Sequence, residues 1–89
     1  MRLKENLSIR YIGNEFMLIA SDQQMVNMTK VCTLSESAAM IWEEFSAVDF
    51  NEADVVLFLQ DNYVISNELV HEDVKHLLNQ FRKEGLLQN

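Results

Sequence analysis

The sequence predicts an α+β fold: a three-stranded antiparallel meander in the N-terminal part, followed by three helices. Three observations carry this. Apolar residues alternate with period two as far as Cys32 and recur three and four apart from Leu34 onward. A small polar residue of helix-capping type stands before each helical stripe, at Ser35, Asn51 and Ser66. The chain has 89 residues, no proline and two glycines, which suits one domain over residues 1–89 with no linker inside it.

The first strand spans Leu7 to Ile12, with Leu7, Ile9 and Tyr11 on one face and Ser8 and Arg10 on the other. Gly13-Asn14 follows, a pair suited to a two-residue hairpin because both residues tolerate positive φ. Glu15 to Ala20 forms the second strand. Phe16, Leu18 and Ala20 share one face and Met17 and Ile19 the other, the pattern of a central strand covered on both sides. Ser21 to Gln24 is a polar turn, and Met25 to Cys32 is the third strand. Val26, Met28, Lys30 and Cys32 are expected on one face, and Met25, Asn27, Thr29 and Val31 on the other. Its weaker pattern and its lysine suit an exposed sheet edge.

The first helix begins near Thr33 to Ser35, where two caps compete: Thr33 with Glu36 as a capping box, or Ser35 with Leu34 just outside. Ala38, Ile41, Trp42 and Phe45 make one apolar stripe, so the single tryptophan is expected in the core. Asn51 caps the second helix, Phe50 and Val55 take the positions of a hydrophobic staple, and Val55 to Leu59 is expected to be buried nearly all round. The third helix runs from about Glu68 to Lys83, with Val70, Val74, Leu77, Leu78 and Phe81 as its buried stripe. Gly85 supplies a left-handed stop, and Leu86 can fold back on Phe81 in a Schellman closure. A short turn joins helices two and three, giving a winged helix-turn-helix-like order.

The formal net charge is −7, and all ten Asp, Glu, Lys and Arg side chains between Val31 and Val74 are acidic. Nucleic acid and anionic membrane should be repelled over most of such a surface. Helix two has no basic residue, which counts against a DNA-binding regulator. Cys32 is the only cysteine, leaving no internal disulfide and no cysteine-based zinc site. His71 and His76 are five apart on one helix, a poor spacing for a shared metal. No phosphate-binding loop, nucleophile elbow or HExxH is present. The residues thus point away from an enzyme and imply no cofactor. The N-terminal stretch lacks a signal-peptide apolar run, and a cytoplasmic location is expected by default.

Three blocks resemble a known family. Leu34-Ser35, Ala38 or Ala39 and Ile41-Trp42 form the first. An acid-bearing helix from Glu52 to Leu59, followed by Tyr63, is the second. Glu72-Asp73-Val74, Leu77-Leu78 and Gly85-Leu86-Leu87 form the third. In this order the chain resembles the pyrroloquinoline quinone biosynthesis protein D (PqqD-like) family, whose fold is also called the RiPP recognition element. It departs from that pattern where Ser35 replaces an asparagine and where Ser46-Ala47-Val48-Asp49 replaces an Asp-Gly after the first helix.

The resemblance implies a non-catalytic module that binds the leader of a ribosomally made precursor peptide and presents it to a modifying enzyme, often a radical SAM enzyme. By analogy, the edge formed by Asn27, Met28, Thr29, Lys30 and Val31 would pair with the peptide as an added strand. The third helix would be the wall, with Val74, Leu78 and Phe81 as apolar pockets and Lys75 and Arg82 attracting an acidic leader. The plainer reading of those apolar residues is ordinary core. A winged-helix DNA-binding regulator and a structural subunit without a peptide ligand, such as a homodimer, are the competing classes.

Overall fold

The computed structural model describes the backbone of residues 1–21 and 28–88, with the side chains outside positions 21–30. The elements are β1 (Arg2–Leu3), β2 (Leu7–Ile12), β3 (Glu15–Ser21), β4 (Met28–Leu34), α1 (Glu36–Phe45), α2 (Glu52–Asn62), α3 (Asn67–Lys83) and β5 (Leu87–Gln88). An antiparallel sheet of order β2-β3-β4 precedes three helices, as expected. Asp22 to Gln24 of the expected turn and Met25 to Asn27 of the expected third strand lie outside the described residues.

Local chemistry explains most boundaries. Ile12 pairs with Glu15 across a two-residue loop in which Gly13 and Asn14 have φ of 58° and 67°. Both central residues are left-handed, as a type I′ turn requires, and its twist matches that of the strands it joins. Thr33 lies inside β4, so the competition between caps ends at Ser35, whose Oγ accepts the Ala38 N–H at 3.2 Å. At α2 the Asp54 N–H donates to Asn51 Oδ1 at 2.9 Å, and the Asn51 N–H donates to Asp54 Oδ2 at 3.0 Å, a reciprocal capping box. Ser66 Oγ accepts the Leu69 N–H at the start of α3. At the other end of α3, Leu86 N–H donates to Phe81 O at 2.8 Å and Gly85 N–H to Arg82 O at 3.1 Å, with Gly85 at φ 72°. This is the Schellman closure.

Four features depart from the sequence expectation. The register runs Leu18↔Cys32 and then Ile19↔Lys30, leaving Val31 as an extra residue on β4. This β-bulge interrupts the regular alternation expected along the strand. Leu57 is 58% exposed, because α2 turns it away from the face that buries Val55, Val56 and Leu59. Tyr11 is 61% exposed at the hairpin end, where it stacks on Phe16 at 4.7 Å instead of entering the core. Finally, β1 and β5 form a second, two-stranded sheet, with Arg2 opposite Gln88 and Leu3 opposite Leu87.

One face of the main sheet supplies Leu18 and Leu34 to a core completed by the helices, with Leu7, Ile9, Phe16 and Cys32 half-buried against it. Ile19, on the other face of β3, is buried but outside that cluster. Trp42 meets Phe81 edge to face at 5.6 Å, joining α1 to α3. Phe45 meets Phe50 at 5.0 Å and Phe58 at 5.7 Å, joining α1 to α2 and the loop before it. Val55, Val70 and Val74 of the same cluster are fully buried. Among the described residues no polar or charged side chain is buried, and no helix is long and apolar enough to cross a membrane.

The loop after α1 carries a consequence of its sequence. Ala47 holds φ 62°, and its carbonyl accepts a 2.9 Å bond from the Arg2 guanidinium. A side chain in this left-handed region costs roughly 1–2 kcal/mol, which glycine avoids. Ala47→Gly is therefore expected to stabilise the fold by roughly 0.5–1 kcal/mol, net of the extra chain entropy glycine brings to the unfolded state. Urea titration checks this; an unchanged or lower midpoint would show that the loop relaxes without strain.

Candidate functional site

The site is built from a sheet edge and the helix beside it. Among the described residues, β4 pairs only with β3, so its outer side carries no neighbouring strand. The outer N–H and C=O groups of such a strand can pair with an added chain. Val31 of β4 joins Leu7, Ala20 and, just past the end of α3, Glu84, Gly85 and Leu86 around a depression of about 290 Å³. Ser37, three residues past the end of β4, joins Leu77 and Gln80 of α3 in a much larger cleft.

That cleft, of about 940 Å³, is open to solvent and mostly apolar. Its floor and one wall come from Leu59 of α2 and the extended linker Tyr63, Val64, Ile65 and Ser66. The other wall is one face of α3: Leu69, Asp73, His76, Leu77 and Gln80. The spacing explains the set, since residues four, seven and eleven positions along a helix return to the same side. Leu69 is 50% exposed and Val64 wholly so, an unusual condition for apolar side chains flanking one cleft. Tyr63 donates its hydroxyl to Met40 Sδ at 3.0 Å, which fixes the ring at the rim.

The residues suggested by sequence fall into three places. Met28, Thr29, Lys30 and Val31 lie on the β4 edge, while Asn27 is outside the described residues. Val74, Leu78 and Phe81 are core residues, exposed by 0–2%. Val74 and Phe81 face the core and not a groove floor, while Leu78 also lines a separate depression beside Lys75 and Arg82. Lys75 and Arg82 share a different side of α3, about 200° of rotation from Asp73 in the case of Lys75. There they border a separate depression with Met1, Glu52, Leu78 and Asn79, and the Arg82 guanidinium donates to Asn79 Oδ1 at 3.1 Å. The structure therefore does not bring these two bases to the cleft.

The sequence reading passed over Val64, Leu69, Asp73 and His76 as a set. The available signal was Leu69, an apolar residue on an otherwise polar flank of α3, one position off the buried stripe. Among the described residues no group of three or more His, Cys, Asp or Glu is placed to hold a metal ion.

A three-stranded antiparallel sheet followed by three helices, with one strand edge unpaired among the described residues and an apolar cleft along the last helix, defines a small α+β domain. The chain belongs to the coenzyme PQQ synthesis protein D (PqqD) family, whose model matches residues 17–87. The solved structure of TbiB1 in complex with the TbiA(beta) leader peptide is similar in fold, with a TM-score of 0.69. The likeness covers 100% of this chain and 96% of that one at 17% sequence identity. No curated protein matches the sequence.

Proposed function

We propose that this chain is a non-catalytic peptide-binding module that takes the leader segment of a ribosomally synthesised precursor and presents it to a modifying enzyme, a radical SAM enzyme being one such class. The observation that carries the reading is the outer side of β4, unpaired among the described residues, together with the open apolar cleft along α3. Backbone pairing to the edge supplies affinity for an extended chain, and the cleft supplies selectivity through side chains. Met28 to Val31 form the pairing edge in this reading, with the α3 face of Leu69, His76 and Leu77 opposite. Membership of the family and the leader peptide held by a protein of the same fold support it. The acidic surface makes nucleic acid a poor competitor for the same face.

Leu69→Glu tests the site with the fold held constant. Leu69 stands three residues after the N-cap Ser66, and glutamate there completes a capping box. An acid in the first turn is also favoured by the helix dipole, so stability should hold or rise by roughly 0.5 kcal/mol. The same change places a charge in the apolar cleft. Calorimetric titration with the synthetic leader of the precursor encoded nearest this gene should give binding to the unaltered chain and at least about tenfold weaker binding to the variant. Equal binding by both would remove the cleft from the site, and no binding by either would remove the function. Presentation is checked separately, by the yield of modified precursor with and without this chain.

A further inference from the structure

The charge of the cleft bears on which peptide it accepts. We infer that its occupant is an extended segment carrying a lysine or arginine between apolar anchors, with the base set against Asp73. This rests on the peptide-binding reading and narrows it.

Asp73 is exposed on the α3 wall, and no lysine or arginine is among the described residues lining the cleft. The lining comes from Ser37 and from residues between Leu59 and Gln80. In that second stretch the only lysine or arginine is Lys75, which projects to another side of α3. Asp73 is thus the one carboxylate among the described lining residues, and with no lysine or arginine there the fixed charge of the lining is negative. Walls of low polarizability strengthen such a field and penalise an acidic segment. This differs from the expectation drawn from Lys75 and Arg82, which favoured an acidic leader.

The dimensions set the length. From Leu69 to Gln80 is eleven residues of helix, about 16 Å. An extended chain covers that distance in about five residues. Alternate side chains of such a segment face the same way, so a base over Asp73 leaves apolar side chains two positions to either side. Leu69 with Val64 on one side, and Leu77 on the other, are the exposed or half-buried apolar surfaces that meet them.

The test is panning of a phage-displayed random heptapeptide library on the immobilised intact chain at low ionic strength. Affinities of the enriched peptides are then measured by fluorescence polarisation. The expected consensus holds Lys or Arg at one position with apolar residues two away. The best peptide should bind Asp73→Lys about tenfold more weakly and Asp73→Asn about threefold more weakly. It should bind Lys75→Glu within about twofold of the unaltered chain, because that residue is on another side of the helix. Panning on Asp73→Lys should shift the basic position to Asp or Glu. Peptides that depend on Leu69 but show no basic preference, or that bind Asp73→Lys equally well, overturn the inference and leave the groove intact. If no enriched peptide is weakened by Leu69→Glu, the groove reading fails and takes this one with it.

Discussion

Trp42→Ala is expected to cost about 3–5 kcal/mol, the usual range for removing a buried aromatic side chain. The indole is 3% exposed and stands edge to face on Phe81, so the substitution opens a void at the junction of α1 and α3. The surrounding residues have little freedom to refill it. Ile41 and Val74 are fully buried, and Phe45 is held by Phe50 and Phe58. A domain of this length has roughly 4–13 kcal/mol in total, so the loss removes a large share of it. Chemical denaturation followed by far-UV circular dichroism measures the effect. The unaltered chain should show blue-shifted tryptophan emission. A variant with an unchanged midpoint, or native emission at the solvent-exposed maximum, would show that the ring lies outside the core.

The second large effect is expected at a residue that has no periodic pattern around it. Leu3→Ala should cost about 2–4 kcal/mol. Leu3 is 2% exposed and belongs to the same core cluster as Leu86 and Val74. It is held there by long-range hydrogen bonds from β1 and its neighbours to the last strand and to the loop before α2. Lys4 N–H donates to Leu86 O at 2.8 Å, Gln88 Nε2 donates to Leu3 O at 3.1 Å, and Phe50 N–H donates to Met1 O at 2.9 Å. The melting temperature should fall by upward of about 10 °C for a chain of this size. The Lys4 amide should exchange slowly in the unaltered protein and quickly in the variant. If β1 and β5 only lay on the surface, Leu3→Ala would leave the melt within about 1 °C, and the core boundary drawn above would be wrong.

These two residues mark how far the sequence could be read. Trp42 was legible because its stripe repeats over about two helical turns, and Ser35, Asn51, Ser66, Gly13-Asn14 and Gly85 were legible because each acts on groups within a few residues of itself. Leu3 was not. A two-residue strand has no period, and its partner lies at Leu87, where nothing local announces a pairing. The bulge at Val31 escaped for a similar reason, since one extra residue in an edge strand is set by pairing to β3 and leaves alternation intact on either side. The cleft was half legible. The free edge and its neighbouring helix follow from element order, but its lining is gathered from α1, α2, the linker and α3. Assigning the stripe of Val74, Leu78 and Phe81 to a groove asked one helix face to serve two purposes. The buried stripe belongs to the core, and the cleft lies on the flank beside it.

The extra residue at Val31 also bears on which neighbours the open edge tolerates. A regular edge repeats its donors and acceptors at even spacing, so the straight strand of any folded protein, including a second copy of this one, fits along it. The bulge breaks that spacing in the middle of β4 and increases its local twist. A strand already fixed in another sheet cannot match the break without giving up bonds of its own. A pliable segment, not yet committed to any structure, can absorb it by a change in two or three of its own dihedral angles. The irregularity thus acts as a filter on rigidity: it discourages sheet-to-sheet aggregation while leaving the edge open to an unstructured chain.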